Sequence, residues 1–182
     1  MTRQDVTVAT ATQMREFGRR LASVLRAGDL VILNGGLGAG KTTLTKGIGD
    51  GLGVRGPITS PTFVIARVHP PAAGRGAAGP SLVHADAYRL GSALELDDLD
   101  LDTDVASAVT VVEWGEGLAE GLSADRLEIV IASVAAGGVD GADAADGDAP
   151  EDDDRPRTVR ISGVGQRWEG VKLPLADLAD RL

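Results

Sequence analysis

Apolar residues in the first third of the chain recur at two different periods, and the change of period predicts the elements. Val6-Thr7-Val8 alternates as a short strand does, whereas Met14, Phe17, Leu21, Val24 and Leu25 fall on one face at helical spacing. Thr10 with Gln13 forms a capping box, and Arg26 followed by Gly28 are stop signals, so a helix is expected through about Arg26. Asp29–Asn34 reads as a buried strand. Lys41–Leu52 reads as a second helix, ended by Gly51 and Gly53.

Further strands are expected over Phe63–Val68, Ser81–Asp86 and Val109–Val112, the last ending at Glu113. Arg126–Ser133 and Thr158–Ser162 suggest a closing hairpin, Leu94–Asp104 one or two short helical turns, and Leu175–Leu182 a terminal helix. The Ala/Gly/Pro stretch from Pro70 to Pro80 is expected to be a mobile surface connection. Ala135–Arg157 is poor in apolar side chains and rich in Gly, Ala and Asp, the composition of a disordered insertion. Strands alternating with helices, closed by a hairpin, predict a small mixed α/β sandwich. At 182 residues the chain suits one domain.

Composition narrows the chemistry. There is no cysteine, which excludes disulfides, thiolate metal sites and cysteine nucleophiles. Met1–Asp5 lacks the order of a signal peptide and no apolar run approaches spanning length, so a soluble, cytoplasmic protein with no membrane partner is expected. The formal charge of −9 is local: eight acidic residues lie between Asp140 and Asp154 without a base, leaving 19 acids against 18 bases elsewhere. That near-neutral remainder shows no dense basic cluster for tight nucleic-acid binding unaided.

The most specific chemical signal is Gly35-Gly36-Leu37-Gly38-Ala39-Gly40-Lys41-Thr42, which fits G-x-x-x-x-G-K-[ST] between a strand and a helix. Such a loop aims backbone N–H groups at phosphate oxygens, and the following helix adds its positive end. Lys41 would reach the β/γ-phosphates and the Thr42 hydroxyl would ligate Mg²⁺. Turnover needs carboxylates too, and two strand ends offer them. His84-Ala85-Asp86-Ala87-Tyr88-Arg89 puts His84 and Asp86 on one side of a strand, where they could share a site. His84 reads equally well as a partly buried histidine with a structural hydrogen bond, and Tyr88 and Arg89 as packing and surface charge. In Val111-Val112-Glu113-Trp114-Gly115-Glu116, Glu113 follows four β-favouring residues and resembles a Walker B terminus, or is an ordinary strand-end charge. Trp114 is either partly buried core or an aromatic wall or partner contact beside the site, and Glu116 a solvated helix-start charge. Thr59-Ser60-Pro61-Thr62 offers hydroxyls on a loop able to close over a γ-phosphate. Ser162-Gly163-Val164-Gly165-Gln166 and Asp50-Gly51-Leu52-Gly53 mimic nucleotide motifs but stand in the wrong order or end a helix. No Asn-Lys-x-Asp favours guanine.

Taken in order, the phosphate loop with Thr43, Thr-Ser-Pro-Thr-Phe, His-Ala-Asp-Ala-Tyr-Arg-Leu and Val-Glu-Trp-Gly-Glu resemble the TsaE family, from about Val6 to Ile161 without the loop at 70–80 and the acidic stretch. TsaE is the bacterial ATPase of tRNA threonylcarbamoyladenosine (t6A) biosynthesis. The resemblance implies a P-loop NTPase-like three-layer sandwich with a parallel core and antiparallel C-terminal strands. It implies Mg²⁺-dependent ATP hydrolysis, slow in isolation, in support of a TsaB/TsaD threonylcarbamoyl-transferase, with tRNA met indirectly through that complex. By position, Gly35 to Thr43 would hold the nucleotide, and Thr42 and Glu113 the metal. Lys41, Asp86 and Glu113 would serve hydrolysis, Ser60 and Thr62 would lie on a switch-like loop, and Thr12, Trp114 and Arg157 would meet nucleotide. Gly36 departs from the Asp common in the family. The acidic insertion makes the register near Arg157 a further departure.

Two other classes compete. A small-molecule kinase on this fold would want an arginine-bearing lid, and the late insertion is acidic instead. A nucleotide-gated binding module would keep the phosphate loop without needing Asp86 or Glu113.

Overall fold

The computed structural model describes residues 2–72, 79–90, 92, 95, 106–134 and 155–173. Most of Leu94–Asp104, the Ala135–Asp154 part of the acidic insertion, and the predicted helix Leu175–Leu182 lie outside them. Seven strands form one sheet: β1 Thr2–Val8, β2 Leu30–Gly35, β3 Ala66–His69, β4 Ser81–Asp86, β5 Ala108–Glu113, β6 Arg126–Ser133 and β7 Arg157–Val164. Their order is β1-β7-β6-β2-β5-β4-β3. The four central strands β6, β2, β5 and β4 run parallel. β7 and β1 add an antiparallel wing on one side, and β3 an antiparallel edge on the other. The mixed α/β sheet is therefore as expected, with the N-terminal strand joining the C-terminal hairpin.

Two helices, α1 Ala11–Leu21 and α2 Lys41–Leu52, lie together on one face of the sheet. Thr10 caps α1 by accepting from Gln13 N–H at 3.1 Å, and Gln13 Oε1 accepts in return from Ala9 N–H at 2.6 Å. The helix stops at Leu21, short of Arg26, because the bonds beyond it tighten to i→i−3 spacing at Ser23, Val24 and Leu25. Met14, Phe17, Leu21 and Leu25 are nonetheless buried. α2 keeps its expected bounds. Gly40 (φ 105°) precedes it and Gly53 (φ 71°) ends it with Gly53 N–H to Asp50 O and Val54 N–H to Gly49 O, a Schellman closure.

The helix face of the sheet carries the main core, with Val31, Leu33, Val109, Val111, Ile129 and Val159 packed under Phe17, Leu44 and Ile48. On the opposite face a smaller cluster joins Leu30, Ile32, Val83, Ala85 and Val112 to Ala87, Ala119 and Leu118. Among the described residues, this third layer is built from the segments after β4 and β5 and the 3₁₀ turn Glu120–Leu122.

A second expectation is corrected, after the end of α1. The strand predicted from Phe63 begins only at Ala66. Val64 and Ile65 N–H both bond back to Pro61 O, and Ile65 sits at φ 67°, so Phe63-Val64-Ile65 forms a turn, with Phe63 87% exposed. No helix among the described residues is long and apolar enough to cross a membrane.

Candidate functional site

β2, β4 and β5 end side by side at their carboxyl ends, where open α/β sheets hold ligands. Parallel register sets Leu33 beside Glu113 and Glu113 beside Asp86, so both carboxylates face the helix side at the mouth of the loop Gly35–Gly40. Lys41 opens α2 beneath that loop and is 5% exposed. Its Nζ donates to Gly35 O at 2.8 Å and Gly36 O at 2.9 Å, and lies 3.7 Å from the centre of the Trp114 ring. Burial pulls its pKa below the ordinary 10.5, while Glu113 and Asp86 draw it back up.

The Thr42 hydroxyl lies 2.9 Å from Glu113 Oε1 and 3.2 Å from Oε2. A hydroxyl and a carboxylate at one spot are hard oxygen donors that suit a small divalent cation. Among the described residues no group of three or more His, Cys, Asp or Glu makes an all-protein cage.

Asp86, 4% exposed, is held by a different set of donors. Thr62 Oγ1 donates to its Oδ2 at 2.6 Å, Ser60 Oγ lies 3.3 Å from the same oxygen, and Tyr88 N–H donates to Oδ1 at 3.0 Å. The Ser60 and Thr62 hydroxyls are themselves 2.7 Å apart. The loop is thus clasped onto Asp86. Trp114 adopts φ 59°, unusual for a bulky residue, and its ring packs 5.1 Å from that of Tyr88. Half-buried, the Trp114 ring thus lies between Lys41 and Tyr88.

His84 and Asp86 share the expected face, but His84 bonds to the neighbouring strand: its Nε2 is 2.8 Å from Glu113 Oε1. The parity of β4 against β5 carried that signal, since residues 84 and 86 project to the same side as 111 and 113. Arg157 opens β7, buried, with one guanidinium nitrogen 3.5 Å from Gly38 O. Thr12 is exposed in the first turn of α1, while Met14 from the same turn lies under Gly40. Thr43 is half-buried beside Thr42, Leu37 and Gly36 are exposed at the loop tip, and Ala39 is buried beneath it. Glu116 is exposed, its N–H donating to Asn34 Oδ1.

Residues 8–137 match the family model described as "Threonylcarbamoyl adenosine biosynthesis protein TsaE". This chain belongs to the TsaE family. It is 56% identical over 156 residues to the Streptomyces coelicolor tRNA threonylcarbamoyladenosine biosynthesis protein TsaE, covering 85% of this chain and 93% of that one. The Bacillus subtilis TsaE protein is 33% identical over 86% of this chain and 84% of its own length. A crystal structure of Bacillus subtilis YdiB superposes with a TM-score of 0.64 at 28% identity, covering 92% of this chain and 90% of the other. Membership in TsaE extends over the phosphate loop and both carboxylate strands. Arg157 lies beyond the matched segment, and its place beside Gly38 comes from the β6–β7 hairpin.

Proposed function

We propose that this TsaE protein is a Mg²⁺-dependent ATP hydrolase that sustains t6A modification of tRNA alongside a TsaB/TsaD-like threonylcarbamoyl-transferase, meeting tRNA through that assembly. The convergence of Lys41, Thr42, Glu113 and Asp86 at three adjacent strand ends carries the reading. It supplies a phosphate-binding cation, two metal-site oxygens and a second carboxylate within one mouth. The TsaB/TsaD partnership and the t6A task rest on the family alone.

In this reading the amides of Gly36–Gly40 and the Lys41 ammonium receive the β- and γ-phosphates. Thr42 and Glu113 hold Mg²⁺, which when bound neutralises charge developing on the phosphate oxygens. Asp86 orients the attacking water: a new bond forms from that oxygen to the γ-phosphorus as the bond to the β,γ-bridging oxygen breaks, the bond's electron pair leaves with ADP, and the water's protons pass to the oxygens of the released phosphate and to solvent. Ser60 and Thr62, now clasped on Asp86, follow the γ-phosphate as it arrives and leaves.

The test is t6A formation in a reconstituted system with Lys41→Ala, together with ATP turnover with and without the partner subunits. Loss of t6A and of partner-stimulated turnover is expected. Full t6A formation by Lys41→Ala would refute the proposal. Unchanged turnover in both Asp86→Ala and Glu113→Ala would leave a binding module, and ATP consumed one-for-one with a phosphorylated metabolite would reveal a kinase.

A further inference from the structure

Glu113 is buried at 2% exposure, and a buried carboxylate keeps one orientation only if its oxygens are held by donors. Thr42 reaches both oxygens but is itself a proposed metal ligand, so its hydroxyl proton is not a permanent anchor. The donor left is His84. It is fully buried in β4, its Nε2 stands 2.8 Å from Glu113 Oε1, and its backbone is fixed on both sides by β3 and β5. Its Nδ1 is buried and meets no partner. A proton there would be a stranded donor, so the tautomer that fits carries its proton on Nε2, pointing at the carboxylate.

We propose that His84 is a positioning residue for Glu113. By donating to Oε1, which Thr42 also approaches at 2.9 Å, it pins the carboxylate plane and leaves Oε2, 3.2 Å from Thr42 and with no contact from His84, as the oxygen open to the metal. The inference rests on the nucleotide-and-magnesium reading above. Hydrogen-bond partners of metal-site carboxylates set how well the ligands are pre-aligned, and losing one typically costs 10–100-fold in metal affinity. His84 touches neither metal nor phosphate in this scheme, so its effect must pass through Glu113.

The experiment compares His84→Gln, whose amide N–H can take the place of Nε2, with His84→Asn, whose shorter amide cannot reach Glu113. Mn²⁺ affinity is read by electron paramagnetic resonance in the presence of a non-hydrolysable ATP analogue, and ADP affinity separately in EDTA. His84→Asn is expected to weaken Mn²⁺ binding by about tenfold, with metal-free ADP affinity essentially unchanged and His84→Gln close to the parent on both counts. In a Glu113→Gln background, His84→Asn should add nothing to the loss. Equal behaviour of the Asn and Gln variants would overturn the inference, as would equal losses of Mn²⁺ and ADP binding by His84→Asn. A parent protein that binds neither Mn²⁺ nor the analogue would overturn the reading beneath it as well.

Discussion

At the scale of single residues, two adjacent glycines of the phosphate loop separate structural from permissive positions. A Cβ on Gly35 would stand 2.5 Å from Ile131 O, and its φ of 149° disfavours any L side chain. A Cβ on Gly36 meets nothing within 4 Å. Gly35→Ala is therefore expected to cost about 1–3 kcal/mol in urea denaturation, and Gly36→Ala or Gly36→Asp to stay within about 0.5 kcal/mol. A destabilised Gly36→Asp would show that the departure from the family's Asp reflects a local steric limit. At this scale the sequence was readable wherever the motif is contiguous: Lys41 and Thr42 sit in one octapeptide whose spacing is itself the signal. What stayed hidden were side-chain choices made across strands. His84 bonds Glu113, 29 positions away, and nothing in the local pattern distinguishes that from sharing a site with Asp86. The Trp114 ring over Lys41 depends likewise on a backbone at φ 59°, which residue type does not announce.

Elements add a constraint that helix propensity alone would misjudge. α1 and α2 approach so closely that a Cβ on Gly47 would stand 2.0 Å from Arg15 O, and one on Gly18 2.3 Å from Leu44 O. On an isolated helix, Gly→Ala stabilises by about 1 kcal/mol. Here the sign reverses: Gly47→Ala must push the helices apart and is expected to destabilise by about 1–3 kcal/mol. Because α2 begins with Lys41, the displacement should also weaken nucleotide binding, measurable by titration of ADP. A more stable Gly47→Ala protein would show that the helices can separate freely. α1 carries a pH-dependent contribution as well. Hydrogen bonds from Arg19 and then Arg20 hold Glu16 at a pKa of about 2, below its ordinary 4.5. A carboxylate depressed in the fold contributes stability above its unfolded pKa and loses it as pH falls through the folded one. The parent should exceed Glu16→Gln at neutral pH by only about 0.5 kcal/mol, since Arg19 is exposed, Glu16 and Arg20 are only half-buried, and solvent screens the pairs. That margin should fade between pH 4.5 and about 2. A margin that persists unchanged at pH 2 would argue against the ion pairs as its source. Element type was legible because α2, β4 and β6 are bounded by sharp punctuation. β3 was misjudged because Phe63-Val64-Ile65 has strand composition, while Pro61 O draws two amides back into a turn.

The whole molecule shows why a charge far from neutral says little about this fold. β6 and β7 pair in register down to Ser133 and Arg157, and Arg157 leads straight to the carbonyl of Gly38. The long acidic connection between these strands therefore starts and ends at the site's edge. Hairpin pairing from Arg126↔Val164 to Ser133↔Arg157 fixes the register on its own, without help from the connection. Sequence alone left the position of Arg157 unsettled for the opposite reason: the insertion hides how far the last strand begins from the one before it. Deleting residues 140–154 removes eight acids and moves the formal charge from −9 to −1. It also shortens the connection from 23 residues to 8. Loop-closure entropy then predicts a gain of about 0.9 kcal/mol in unfolding free energy. Metal-free ADP affinity should change little at 0.15 M salt, where charges beyond roughly 8 Å are screened. Should the deletion instead lower stability or abolish ADP binding, the acidic segment packs against the body or steadies Arg157. In low salt the deletion should speed association with the anionic nucleotide, because the net negative field opposing its approach has largely been removed. A salt-independent association rate in both proteins would rule out that electrostatic role for the segment.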